Sequence, residues 1–188
     1  MIDAYIGLGS NVGDRMGYLR AALSRLAREP AFVLRKQSRA WETEPVGPPQ
    51  ARFLNAAAVI GTVLSPRATL RKLLEIEELL GRVRRERWGP REIDLDLLLY
   101  GERIVSEGAL RVPHPLLQER AFALGPLIEI APDIVHPVLL RPAAELFAAL
   151  PAEDLRGVRP LGPIRRFAEE PEVPPEAEQG MGGAGAAG

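Results

Sequence analysis

The sequence predicts an α+β sandwich, with helices packed on an antiparallel sheet. Strand and helix signals alternate between residues 2 and 100 in the order strand, helix, strand, strand, helix, strand. The passage between the second and third strands, residues 44–52, is short and carries Gly47-Pro48-Pro49, which leaves no room for the helix a doubly wound sheet requires. The whole chain has 188 residues, enough for one domain with its own core.

Residues 2–8 alternate, with Ile2, Ala4, Ile6 and Leu8 on one face and Asp3, Tyr5 and Gly7 on the other. Gly9–Asp14 breaks this strand. A helix follows, with Met16, Leu19, Leu23 and Leu26 at helical spacing, and Pro30 closes it. A strand-like segment covers 32–43 and another Phe53–Leu64. Ser65-Pro66 supplies an N-cap and first-turn pair for a second helix through Leu70, Leu73, Leu74, Ile76 and Leu80, with Gly81 as its stop. Ile93–Tyr100 is the next strand. A short hairpin-like piece and helical pieces at 116–131 and 142–150 follow. This βαββαβ order is that of a ferredoxin-like sandwich, with a C-terminal extension and the helices expected on one face.

Hydrophobic residues make up 46% of the chain and charged residues 26%, a globular composition. The absence of Cys excludes disulfide scaffolds, thiolate zinc sites and cysteine nucleophiles. The N-terminus MIDAYIGLGS lacks the basic and apolar regions of a signal peptide, and no apolar run reaches the ~20 residues of a membrane span, so a cytoplasmic protein is expected. The net charge of −1 conceals an asymmetry. Residues 1–168 carry 24 basic and 20 acidic side chains, whereas 169–188 carry five Glu and no base. Residues 1–168 are therefore read as a single domain and 169–188 as a disordered acidic, Gly-rich tail. All but two of the basic residues are Arg, a bias that fits an anionic ligand as readily as a bias in residue usage.

The strongest chemical signal is the run Arg82-Val83-Arg84-Arg85-Glu86-Arg87-Trp88-Gly89-Pro90-Arg91, followed closely by Asp94-Leu95-Asp96. Residues two apart on a strand share a face, so Asp94 and Asp96 point the same way, while Ile93, Leu95, Leu97 and Leu99 are expected to point into the helices. Two adjacent carboxylates repel unless a cation lies between them. Oxygen-only ligands suit Mg²⁺, and a pair of such ions about 4 Å apart can clamp a phosphoryl group. Arg forks match phosphate oxygens. The pattern points to a metal–polyphosphate site, and equally to a solvated face on which Arg neutralises Asp.

Phe53 and Asn55 share a strand face and suit a flat, hydrogen-bonding ring, or a half-exposed strand with no ligand. His114, framed by Pro113 and Pro115, is a phosphate donor or a turn residue; His136 is read as structural. Arg120 and Phe122 either reach a ligand or start a helix. Gly7-Leu8-Gly9-Ser10-Asn11-Val12-Gly13 misses the G-x-G-x-x-G dinucleotide fingerprint by one residue and is read as a strand-to-helix turn. Neither a P-loop nor a Gly-x-Ser-x-Gly elbow is present.

Taken together, Tyr5–Asn11, Glu42–Gly47, Phe53-Leu54-Asn55, Arg87–Leu97, Val112–Pro115, Arg120-Ala121-Phe122 and Pro126–Pro132 resemble, in order, the 6-hydroxymethyl-7,8-dihydropterin pyrophosphokinases of folate biosynthesis. The resemblance covers roughly 1–150 and implies the same sandwich fold. It implies ATP and 6-hydroxymethyl-7,8-dihydropterin as substrates, with two Mg²⁺ ions on Asp94 and Asp96 and pyrophosphate transfer that releases AMP. It places the pterin between Phe53 and Phe122, with Asn55 and the backbone around Thr43, Pro45 and Val46 reading its edge. Arg82 and Arg91 would sit on the phosphates. Glu77, Arg84, Arg87, Trp88, Leu97, His114 and Arg120 would form the ATP side. Phe53 stands where the family can carry Tyr, which keeps stacking and loses a hydroxyl. Pro115 follows the His where the family can carry an aromatic residue.

Two other classes compete. An RNA-binding module of the same fold needs aromatics in an RNP pattern on its central strands, which this chain lacks, and Asp94 and Asp96 would repel a phosphate chain. A non-catalytic ligand-binding domain would share the site but not the turnover. The expected enzyme is a monomer with no nucleic-acid or membrane partner.

Overall fold

The computed structural model describes residues 1–45, 49–82 and 89–167. The expected acidic tail therefore lies outside the described residues.

Strand β1 (Ile2–Ser10) leads to helix α1 (Arg15–Arg28). Asp14 caps α1 by accepting the Gly17 N–H at 2.8 Å, and Arg25 and Arg28 complement the dipole in its last turn. The segment expected as one long strand is two, β2 (Phe32–Gln37) and β3 (Trp41–Thr43). The break has a cause. Ser38 Oγ accepts the Ala57 N–H, Arg39 N–H donates to Glu129, and Ala40 pairs with Leu161 and Gly162 of the C-terminal segment. Strand β4 (Phe53–Thr62) feeds helix α2 (Pro66–Leu79), capped by Ser65 Oγ on the Ala68 N–H and ended at Gly81, whose φ of +81° glycine adopts without strain. Strand β5 (Asp94–Tyr100) closes the βαββαβ unit.

The sheet is antiparallel, with β4 between the broken β2/β3 strand and β1, and β5 beyond β1. This is the ferredoxin-like order. A hairpin, β6 (Val105–Glu107) and β7 (Leu110–Val112), follows. After it come helix α3 (Ala121–Ile130), the small ladder β8 (Val135–His136) and β9 (Arg141–Pro142), and helices α4 (Ala143–Ala148) and α5 (Ala152–Leu155). Strand β10 (Arg159–Pro160) adds to β3 at the sheet edge.

One sheet face packs Ile6, Leu8 and Ile60 against Leu19 and Leu23 of α1 and Leu73 of α2, as the alternation predicts. Helices on that face alone would leave Tyr5, Val59, Leu98 and Leu99 in water. The structure instead covers the second face with α3 and α4, through Leu124, Leu127 and Leu146. Leu124 and Leu127 are fully buried, and each contributes roughly 1.5–3 kcal/mol relative to exposure. The register corrects one expected orientation. Leu97 stands opposite Ile6 but Leu99 opposite Tyr5, so a bulge at Leu98 switches the pleat. Leu99 therefore joins the α3 side, while Leu95 and Leu97 keep the α1/α2 side.

Candidate active site

Helix α3 covers only part of the second sheet face. The remainder is the floor of an open cleft of about 260 Å³. Three strand ends build this floor: Gly7 and Gly9 from β1, Phe53 and Asn55 from β4, Asp94 and Asp96 from β5. The start of α3 supplies Arg120 and Phe122 as one wall, with His114 beside them. Thr43, Glu44, Gln50 and Arg91 close the other sides.

Asn55 Nδ2 donates to Thr43 Oγ1 at 2.7 Å, which leaves Oδ1 as the free acceptor. That oxygen points across β1, because a Cβ on Gly9 would come within 3.0 Å of it. Gly9 thus keeps open the space in front of the amide. Phe53 and Phe122 both line the cleft, and the Arg120 guanidinium lies 5.5 Å from the Phe122 ring centroid.

The carboxylates face the cleft as the i, i+2 spacing requires. Asp94 is held by two arginines: Arg82 Nη1 lies 2.7 Å from Oδ1, and Arg91 Nη1 bonds Oδ2. Asp96 is 3.7 Å from Arg120 Nη1. Its carboxyl is pushed up to about 6, first by desolvation in the recess and then by the charge of Asp94, against the three arginines. His114 is pushed down to about 4 by burial and the Arg120 charge, so its ring is neutral at pH 7. The Leu116 N–H lies 3.3 Å from Nδ1, and Arg120 Nη1 lies 3.2 Å from Nε2. A neutral imidazole has one acceptor nitrogen, so the ring takes one of these bonds at a time.

Glu77 and Leu97 do not reach the cleft with their side chains. Leu97 is part of the core against α1 and α2. Glu77, buried at the end of α2, accepts the Leu95 N–H at 2.6 Å and pairs with Arg82. It supports the site from beneath. Pro45 is half-buried, and its neighbour Glu44 is the residue that lines the cleft. Val46, Arg84, Arg87 and Trp88 lie outside the described residues.

Asn11 has a larger role than the turn residue read from sequence. Its Nδ2 donates to Gln50 Oε1 and the Ala51 carbonyl, its Oδ1 accepts the Arg91 N–H, and its own N–H donates to the Arg91 carbonyl. One buried amide joins three segments that border the cleft. Only the Gly-Ser-Asn turn itself hinted at it, because its partners lie 39, 40 and 80 positions away.

Two carboxylates fit a cation that keeps its waters and takes oxygens from a bound polyphosphate. No group of three or more acidic, His or Cys side chains arranged for metal binding occurs among the described residues, so these residues alone offer no complete metal cage. Nor is any described helix long and apolar enough to cross a membrane.

Residues 5–132 match the family model described as 7,8-dihydro-6-hydroxymethylpterin-pyrophosphokinase (HPPK). The chain is 41% identical over 146 residues to the 2-amino-4-hydroxy-6-hydroxymethyldihydropteridine pyrophosphokinase of Aquifex aeolicus, covering 77% of this chain and 90% of that one. It is 48% identical over 136 residues to the enzyme of that name from Methylorubrum extorquens, covering 72% and 86%. Among solved structures it resembles Plasmodium falciparum HPPK-DHPS with STZ-DHP, with a TM-score of 0.64 and 16% identity. That match covers 78% of this chain but spans 43% of the larger chain, and it bears on the fold. The motif order, the sandwich and the acid–arginine cleft at its strand ends agree with the family match, and the chain belongs to the 7,8-dihydro-6-hydroxymethylpterin-pyrophosphokinase family.

Proposed function

We propose that this chain transfers pyrophosphate from ATP to the hydroxymethyl group of 6-hydroxymethyl-7,8-dihydropterin, giving AMP and the pterin diphosphate. The observation that carries the reading is the juxtaposition, along one cleft, of an aromatic–amide slot and an acid–arginine cluster. The slot comprises Phe53, Phe122 and the Asn55 Oδ1 acceptor. The cluster comprises Asp94, Asp96, Arg91 and Arg120 on the cleft lining, with Arg82 paired to Asp94.

In this reading the pterin stacks between Phe53 and Phe122, and Asn55 Oδ1 accepts a ring N–H. Backbone groups at Thr43, Pro45 and Val46 read the rest of that edge. Asp94 and Asp96 are the residues that would hold two Mg²⁺ ions. Bound there, Mg²⁺ would neutralise the triphosphate and polarise the pterin hydroxyl. Arg82 and Arg91 occupy Asp94 in the structure, and they turn onto phosphate oxygens when ATP arrives. Arg120 and neutral His114 add donors from the α3 side. Arg84, Arg87, Trp88 and the elements carrying Glu77 and Leu97 complete the ATP side.

The hydroxymethyl oxygen attacks the β-phosphorus in line, the bond from that phosphorus to the oxygen bridging to the α-phosphate breaks so that AMP leaves, and the hydroxyl proton passes to water. Among the described cleft residues no side chain is a strong base at neutral pH, since His114 is held near 4 and Asp96 near 6. Positioning and electrostatic stabilisation supply the catalysis. The enzyme works as a monomer in the cytoplasm and binds no nucleic acid, because Asp94 and Asp96 occupy the surface an RNA backbone would cross. Asp94→Asn tests the reading against a pure binding domain. It is expected to lower turnover at least about a hundredfold with circular dichroism unchanged. Turnover within a few-fold of wild type would refute the assigned role.

A further inference from the structure

We propose that Glu129 is a positioning residue that holds the two walls of the pterin slot in register. The proposal rests on the reading above, and it concerns a residue outside the cleft.

Glu129 lies in the last turn of α3, where an acid faces the negative end of its own helix. Contacts made elsewhere offset that unfavourable placement. Oε2 accepts the Trp41 indole N–H at 2.7 Å. Oε1 accepts both the Arg39 backbone N–H at 3.0 Å and its Nε–H at 3.1 Å. All three donors sit at the break between β2 and β3. A second point joins the same elements: a Cβ on Gly125 would meet two Trp41 ring carbons at 3.0 Å. Helix α3 therefore grips β3 through a carboxylate clamp and a glycine notch.

The consequences reach the cleft from both ends. On β3, Trp41 stands opposite Asn55 and shares its face with Thr43, the residue that fixes the Asn55 amide. On α3, the first turn carries Phe122, the ring wall. One side chain thus sets the offset between the stacking wall and the edge-reading pair. Of the arginine–phosphate half, Arg120 caps α3, whereas Asp94 and Asp96 on β5 and the Arg82 and Arg91 that hold Asp94 lie on segments to which Glu129 makes no hydrogen bond.

The test uses the full chain with Glu129→Ala, Glu129→Gln and Trp41→Phe. Glu129→Ala is expected to raise the KM for 6-hydroxymethyl-7,8-dihydropterin about tenfold, the scale of losing one charge-assisted bond, with the KM for ATP within about twofold. Its dissociation constant, read by pterin fluorescence titration without turnover, is expected to rise in parallel. Glu129→Gln keeps an acceptor oxygen for the indole and is expected to recover most of the loss. Trp41→Phe keeps a ring on Gly125 but removes the donor, so it is expected to show the same pterin-selective direction even if Glu129→Ala does not fold. Equal rises in both KM values, or no change in either with a lowered melting temperature, would make Glu129 a stabilising residue only and overturn the proposal. A wild-type protein that neither binds nor turns over pterin would instead overturn the functional reading itself.

Discussion

Glu77 is buried, yet its carboxylate accepts a backbone N–H from the strand bearing Asp94 and Asp96 and pairs with Arg82. Glu77→Ala would leave the Leu95 N–H without its partner inside the protein. An unsatisfied buried donor costs about 1–3 kcal/mol, and the deleted methylenes leave a small cavity. Arg82 retains Asp94 at 2.7 Å, so its charge is not stranded. The expected loss is therefore about 3 kcal/mol, or roughly a 6–12 °C fall in Tm for a chain of this size. Glu77→Gln keeps an acceptor and removes the charge. Burial pushes the Glu77 carboxyl up to about 7, above its value in the unfolded chain. The stability this contributes is present below the ordinary carboxylate range and is lost as pH rises through about 7, where the buried group ionises. Glu77→Gln cannot ionise, so its stability relative to wild type is expected to improve between pH 5 and pH 8, by up to about 3 kcal/mol. Urea unfolding of both proteins across that range measures it, and the shared background cancels in the difference. A difference that is flat with pH, or Glu77→Ala within about 0.5 kcal/mol of wild type, would refute the argument.

Two further predictions follow from the same structure. Gly9→Ala puts a methyl 3.0 Å from Asn55 Oδ1 and is expected to weaken pterin binding at least about tenfold while Tm changes little, as read by pterin titration and calorimetry; unchanged affinity would show that this amide does not face the ligand. Deleting 169–188 is expected to leave Tm and turnover unchanged, because Ile164 and the Phe167 N–H, bonded to Ser24 Oγ, remain in place. A large fall in Tm would contradict the placement of the domain boundary there.

Much of the fold was legible because strand and helix periods differ. The alternation in β1 and the Ser65-Pro66 start of α2 needed no tertiary information. The side on which Leu99 lies was not legible, since a bulge at Leu98 leaves no mark in the residue pattern. Nor was the break at Ser38–Ala40, which is made by bonds to Ala57, Glu129 and the C-terminal segment. In the site, Asp94 and Asp96 were readable because two residues apart on a strand means one face. Phe53 and Asn55 were readable for the same reason. Asn11 and Glu129 were not, because each acts through partners far away in sequence. Glu77 resembles any acid on a helix until the structure shows its carboxylate beneath β5.

The central claim is that the acid–arginine cleft directs pterin to the β-phosphorus of ATP. The most direct measurement is product identity, with purified protein incubated with ATP, Mg²⁺ and 6-hydroxymethyl-7,8-dihydropterin and the nucleotide products separated. Pterin-dependent AMP, formed in step with pterin diphosphate, is the predicted result. Pterin-dependent ADP would mean attack at the γ-phosphorus, and no nucleotide turnover would mean a binding protein; either would contradict the account.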